Sequence, residues 1–272
     1  MRRGWMAWLA ALGWLLPASA MAQTMPGWSI GPEAYWYTYR ETPSLVYQWG
    51  PFAGLDAAYT FKFQNFFLTI DGGADVGYLD YKSNVPTAGL VNGSGRLNGI
   101  WNYKGEFRLL FGADLGVSPS FYISPFAGAG YRILFEQQSG RTTTNGAVAY
   151  DRLSQYYYLP LGIGLSIVAG GWVLRPSAEY DVFIGGNQTS YLSQVGFNQD
   201  LNSRQEVGYG ARASFLMETG TSWGRIAFGP FFRYWNIGQS RGTPGFIGNT
   251  PVIFFEPANN TMEGGLTLHF LF

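Results

Sequence analysis

The chain has 272 residues, with 17 basic and 17 acidic side chains, one histidine and no cysteine. Only 12% of residues are charged, about half the usual share of a globular domain, while 18% are aromatic and 38 are glycine. Zero net charge argues against a nucleic-acid binder, the lack of cysteine excludes a disulfide scaffold or thiolate metal site, and 47% hydrophobic residues argue against disorder.

Residues 1–22 carry the parts of a secretion signal. Arg2 and Arg3 precede a short apolar run at 6–16, and Pro17 leads to Ala20-Met21-Ala22, an A-x-A cleavage site with Gln23 as the expected new N-terminus. The run is too short to span a bilayer as a helix. The residues around the paired arginines suit the general secretory route rather than a twin-arginine signal. Cleavage leaves 250 residues, with 15 basic against 17 acidic side chains. Without a cysteine at the site, a lipoprotein is excluded.

No later stretch has eighteen consecutive apolar residues, and helical periodicity is weak. Period-2 alternation is strong. It predicts ten strands, near 30–38, 53–61, 66–78, 100–113, 121–133, 157–167, 172–182, 207–217, 226–234 and 262–272. In the fourth, Trp101, Tyr103, Phe107, Leu109 and Phe111 fall on one face, and Lys104, Glu106 and Arg108 on the other. Short connections are expected near 63–65, 114–119, 169–171 and 218–223. Long ones are expected near 40–48, 83–99, 137–153, 186–204 and 238–260.

Alternating short turns and long loops mark a transmembrane antiparallel up-and-down barrel with both termini on the short, periplasmic side. Closure is required because lipid cannot satisfy an open sheet edge. Aromatics such as Phe61, Phe66, Phe111 and Trp172 fall at the short-turn ends; Trp36, Tyr78, Trp101 and Tyr180 fall toward the loops. The domain reading is therefore a signal at 1–22 and one barrel at 23–272. The competing fold is a soluble barrel with the apolar set inside, which would need more surface Lys and Glu than the chain has.

The closing stretch, Leu266-Thr267-Leu268-His269-Phe270-Leu271-Phe272, resembles the C-terminal signature of bacterial outer-membrane proteins. The segment Tyr122-Ile123-Ser124-Pro125-Phe126-Ala127-Gly128-Ala129-Gly130-Tyr131 resembles a recurrent strand of the small outer-membrane β-barrel (porin-like, OmpA-like) superfamily. The resemblance implies location in the Gram-negative outer membrane, among its lipid and lipopolysaccharide. It also implies that Leu268, Phe270 and Phe272 form an assembly signal, read by the barrel-assembly machinery after periplasmic chaperones deliver the chain.

Pro32, Pro125, Pro176 and Pro230 sit at similar depth near the short-turn mouth. Each removes a ladder donor, which a bulge or a local end of pairing would accommodate.

The inward face carries the chemistry. Its acids are Glu33, Asp56, Asp71, Asp75, Glu106, Glu136, Glu179, Asp181, Glu206 and Glu263. Its bases are Lys62, Lys104, Arg108, Arg132, Arg175, Arg212 and Arg233. Near-balanced signs suit a lumen filled by paired charges, with glycines making room for Arg and Tyr. Ten strands leave an interior little wider than that of filled eight-stranded barrels. The alternative is a narrow channel in which these charges select solutes or ions.

Other chemistry finds little support. Gly220-Thr221-Ser222-Trp223-Gly224 matches G-x-S-x-G, but in an expected strand-to-strand turn rather than a strand-to-helix elbow. The omptin proteases, also ten-stranded, use acids and a His at the extracellular mouth; His269 lies near the opposite end. A barrel-wall hydrolase is thus a distant alternative. Acids are dispersed, so no metal constellation emerges, although Asp71 and Asp75 share one strand face. No cofactor or phosphate-loop motif is present. The apolar stretch 251–257 reads as a strand extension or packed loop, or else as a lid or an adhesive tip. The favoured reading is a non-enzymatic envelope barrel, structural or surface-interacting, with a largely filled lumen.

Overall fold

A computed structural model describes residues 23–42, 46–84 and 94–272. The expected signal at 1–22 lies outside the described residues. The strands are β1 (Gly27–Thr42), β2 (Val46–Phe63), β3 (Phe66–Ser83), β4 (Gly95–Ala113), β5 (Leu115–Ser118), β6 (Phe121–Gln137) and β7 (Arg152–Ala169). They continue with β8 (Trp172–Ser190), β9 (Leu201–Gln205), β10 (Gly208–Thr221), β11 (Gly224–Ile237), β12 (Thr243–Ile247), β13 (Thr250–Phe254) and β14 (Ala258–Leu271).

Ten of these close a barrel in which every neighbour is antiparallel. The order is β1-β2-β3-β4-β6-β7-β8-β10-β11-β14, and β14 returns to β1 along a register from Ser29↔Leu271 to Thr42↔Ala258. β5 folds back on β6 within the turn after β4. β9 pairs with the upper part of β8, and β12 with β13 forms a separate hairpin.

Alternation explains the wall. Along β1, Glu33, Tyr35, Tyr37 and Tyr39 are buried in the lumen, whereas Pro32, Ala34 and Trp36 are exposed outside. One belt of exposed aromatics, including Tyr78 against Trp101 at 4.9 Å, circles the long-loop end. Another, including Phe66 against Phe111 at 5.9 Å, circles the end that carries the termini. Leu55, Ile70, Leu109 and Leu161 lie exposed between them. An apolar band between two aromatic girdles faces lipid, with the charges inside, which rules out the soluble barrel.

Two expectations about connections change. Most of the loop expected at 40–48 is strand: β1 runs to Thr42 and β2 begins at Val46, because the two stay paired above the belt as far as Arg40↔Tyr47. Backbone pairing there satisfies donors that a loop would leave to water. The apolar stretch at 251–257 forms much of its own hairpin with β12; Phe254 packs on Phe197 at 6.3 Å.

The four prolines are accommodated by local loss of pairing, without register shift. The β1–β14 ladder skips from Ile30↔Phe270 to Glu33↔Thr267 around Pro32. Around Pro176 the β7–β8 ladder skips from Gly164↔Ser177 to Ile167↔Leu174, and around Pro230 the β10–β11 ladder skips from Ser214↔Phe231 to Met217↔Phe228. At Pro125 the β4–β6 ladder has just ended, at Gly112↔Phe126, and β5 takes over.

Candidate functional site

The lumen holds three tiers of charge. At the terminal end, Asp114 pairs with Lys62 and accepts hydrogen bonds from Ser124 Oγ (2.7 Å), Thr24 N (2.9 Å) and Thr24 Oγ1 (2.8 Å). Glu218 pairs with Arg175 and Arg225. Arg175 also donates to Ser166 Oγ (2.6 Å) and the Gln23 carbonyl (3.2 Å). Residues 23 and 24 are thereby tied across this mouth. His269 lies just above, with Nδ1 3.2 Å from Ser29 Oγ and Nε2 2.8 Å from Thr267 Oγ1.

In the middle tier, eight carboxyl groups meet five cations. Arg108 holds Asp71 by two parallel bonds (2.9 and 2.8 Å) and reaches Glu179 at 3.1 Å. Arg212 joins Glu106, Glu179 (3.2 Å) and Asp181 (2.9 Å), and Tyr158 OH donates to Glu106 at 2.5 Å. Arg233 holds Glu33 by two bonds (2.8 and 2.6 Å). Lys104 bridges Asp75 (3.0 Å) and Glu263 (2.9 Å), and Arg132 reaches Glu263 at 2.6 Å. Asp56 has no cation within ion-pair distance among the described residues and lines the same interior as Glu33. Bidentate, charge-assisted bonds of this kind fix side-chain orientation as well as charge.

Aromatic rings close over this tier. Tyr35 and Tyr37 pack on Phe52 at 5.2 and 5.1 Å, and Tyr158 packs on Trp235 at 5.0 Å. Lys104 Nζ sits 4.4 Å from the Tyr35 ring centre, and Arg132 stands 5.7 Å from that of Trp235. Cations over ring faces gain from the quadrupole when water is excluded. Glycine permits the seating: a Cβ on Gly130 would collide with the Tyr158 ring, and one on Gly77 with the Phe52 ring.

The uppermost tier lies at the long-loop end. Arg152 pairs with Glu41 (3.2 Å), with Glu136 (3.9 Å) and with Glu256 from the loop before β14. Gln48 and Gln138 donate to Glu136 at 2.8 and 2.9 Å. The Glu256 and Ser240 backbones and the Ser240 hydroxyl bond each other, so the β11–β14 connection folds inward as a latch. Burial first, and then the Glu41 and Glu136 charges, push the Glu256 carboxyl up to about 7 against the pull of Arg152.

Between the lower and middle tiers lies a cavity of about 210 Å³, lined by Asp56, Asp71, Glu179, Arg108, Ser214 and His269 among others. Counted by tier, carboxyl groups outnumber cations three to one above and eight to five in the middle, and cations lead three to two below. The lumen is therefore acidic rather than nearly balanced.

Glu33, Asp56, Asp71, Asp75, Lys104, Glu106, Arg108, Arg132, Arg175, Glu179, Asp181, Arg212, Arg233 and Glu263 all face this interior. Glu206 does not. It pairs at the rim with Arg204 (3.1 Å) and Arg241 (2.6 Å), both largely exposed. Gln205 takes the buried position instead, because the chain breaks its alternation between β9 and β10. Glu41, Asp114, Arg152, Glu218, Arg225 and Glu256 join the tiers without having been singled out as lumen residues. Most of them lie at strand ends or in segments read as loops. Leu268, Phe270 and Phe272 project on the outward face of the closing strand, with Phe270 5.8 Å from Trp223. Ser222 and Trp223 form the exposed β10–β11 turn.

Solved outer-membrane barrels align with the chain. The outer-membrane protease OmpT from Escherichia coli aligns over 92% of this chain and 100% of its own, at 9% identity and a TM-score of 0.59. The β domain of the Bordetella autotransporter BrkA aligns over 90% of this chain and 100% of its own, at 10% identity and 0.43. Neisserial surface protein A aligns over 90% of this chain and 97% of its own, at 13% identity and 0.34. At 9% identity the likeness to OmpT is one of fold alone, and with the closed ring and its lipid-facing band it makes the chain a barrel of the bacterial outer-membrane type. No family model matches the chain, and no curated protein does.

Proposed function

We propose that the chain is a non-conducting, non-enzymatic protein of the Gram-negative outer membrane, with termini in the periplasm and its working surface at the long-loop end. The observation that carries the closed lumen is the Arg132–Glu263 pair. β6 and β14 stand five strands apart whichever way the ten are counted, yet the two side chains meet at 2.6 Å. An open pore has no spoke across its centre. The orientation is supported by tight turns at one end and long connections at the other.

The exposed β12–β13 hairpin, with Phe246, Ile247 and Ile253 in solvent, supports surface interaction. OmpT is a protease by name. In this chain His269 lies at the terminal end between the Ser29 and Thr267 hydroxyls, and among the described residues no carboxylate bonds to its ring to orient it as a base, which supports a non-enzymatic reading. Barrel-assembly machinery and periplasmic chaperones remain the proposed partners during biogenesis, through Leu268, Phe270 and Phe272.

A second reading is a narrow cation channel, favoured by the acidic cavity. Single-channel recording on residues 23–272 refolded into a planar bilayer separates the two. Silence from a folded barrel supports the closed lumen. Reproducible cation-selective steps overturn it.

A further inference from the structure

Every cation inside the barrel pairs with a carboxylate, and the rim residues Arg204 and Arg241 share Glu206. Among the described residues, only Arg40, Lys82, Arg96 and Arg141 have no carboxylate within ion-pair distance. Segments 43–45 and 85–93 contain no ionisable side chain, so they supply no counter-charge.

These cations are not scattered. The register reads Arg40↔Tyr47 from β1 to β2, Tyr47↔Lys82 from β2 to β3, and Lys82↔Arg96 from β3 to β4. Cross-strand partners project to the same face. Arg40, Tyr47, Lys82 and Arg96 therefore form one horizontal row on the outer wall, spanning roughly 14 Å at ~4.8 Å per strand. The Arg40 guanidinium lies 5.5 Å from the Tyr47 ring centre, and Tyr47 stacks on Trp49 at 4.8 Å. Arg141 is held beside the row by the Asn98 and Gly99 carbonyls. The nearby acid Asp80 accepts from Gly99 N at 3.2 Å.

Depth decides what this row meets. Trp36, Trp49, Tyr78 and Trp101 lie just below it on the same strands, in the aromatic belt. Such a belt sits at the membrane–water interface, so the row above it stands among lipid headgroups. Unpaired cations at that level attract phosphate.

We propose that Arg40, Lys82 and Arg96, with Tyr47, form a binding site for the headgroup of a diphosphorylated glycolipid in the leaflet at the long-loop end. Arg40 and Arg96 take separate phosphates and Lys82 bridges between them, while the belt aromatics pack on the first acyl carbons. The choice of glycolipid rests on the long loops facing outward. Protease accessibility of those loops in intact cells tests that orientation separately.

The experiment is native mass spectrometry of the folded barrel released from nanodiscs of phosphatidylcholine doped with diphosphoryl lipid A. The wild type retains the lipid, and R40Q/K82Q/R96Q loses it by about a hundredfold, at roughly fivefold per cation. R40K/K82R/R96K, which keeps the charges, retains it. R204Q/R241Q, which removes the paired rim cations, behaves as wild type. Heat-dependent gel mobility establishes that each variant is folded. Equal retention by wild type and R40Q/K82Q/R96Q overturns the proposal, as does equal retention of lipid A stripped of its phosphates. Full competition by inorganic pyrophosphate would reduce the row to a simple anion site and overturn the lipid assignment.

Discussion

Arg152 on β7 reaches Glu41 on β1 at 3.2 Å, and these two strands also stand opposite each other in the ten-strand ring. Directly opposite strands are thus joined by ion pairs twice, here and at Arg132–Glu263. The upper crossing differs in one respect: a loop residue, Glu256, joins it. The state of that carboxyl group therefore bears on whether the β11–β14 connection stays folded over the mouth.

The first prediction concerns pH. The Glu256 carboxyl rises from an ordinary 4.5 to about 7 in the closed arrangement. The closed loop thus binds a proton that the open loop releases. Closure is strongest below about 4.5 and weakens as pH rises toward and through 7, by up to about tenfold per pH unit in that window. Limited proteolysis within 238–257 should be slower near pH 5.5 than near pH 8. E256Q should flatten the profile. Faster cleavage at the lower pH would contradict the assignment.

Removing the hub of the middle tier should be costly. Glu263 is fully buried and serves Lys104, Arg132 and Arg233. E263Q leaves three cations short of one negative charge, and losing one partner of a buried pair costs about 3–5 kcal/mol. E206Q, at the exposed rim, should cost no more than about 1 kcal/mol. Urea unfolding in detergent micelles compares the two, and similar losses would refute the difference between lumen and rim.

Opening the spoke should create a pore. R132A/E263A/W235A removes the crossing and the ring beside it. The carboxylates left in the tier outnumber its remaining cations, so currents should appear and favour cations. Wild type should stay silent in the same bilayer. A folded but silent triple variant would mean that the remaining ties, Arg212–Glu106 and Arg108–Glu179 in the middle tier and Arg152–Glu41 above, seal the lumen without this spoke.

Much of this fold was legible because lipid and lumen impose opposite chemistries on alternate residues. Where the alternation is unbroken, as in Lys104-Gly105-Glu106-Phe107-Arg108, sequence parity and observed facing agree. Parity fails where the backbone shifts phase. The break between Gln205 and Gly208 turned Glu206 out to the rim. The upper tier was hidden for another reason. Glu41 and Arg152 lie where the sequence suggested loops, and Glu256 is brought in by a loop whose path no periodicity encodes. Contacts between opposite strands, such as Arg132 with Glu263, have no signature in sequence spacing.

The last prediction concerns closure of the barrel. Trp28 N donates to the Phe272 carbonyl at 2.8 Å, and Phe272 N donates to the Trp28 carbonyl at 3.0 Å. This reciprocal pair ends the β1–β14 seam beyond Ser29↔Leu271. Deleting Phe272 removes both bonds and leaves the last turn of the seam unpaired in lipid, where each lost partner is expensive. F272A keeps the backbone bonds and removes only the outward ring. In refolding without other proteins, the deletion should therefore lower the yield of heat-modifiable barrel more than F272A does. In cells the two should fail alike if the assembly machinery reads the ring. Equal refolding yields for the deletion and the wild type would show that the seam closes without its final pair.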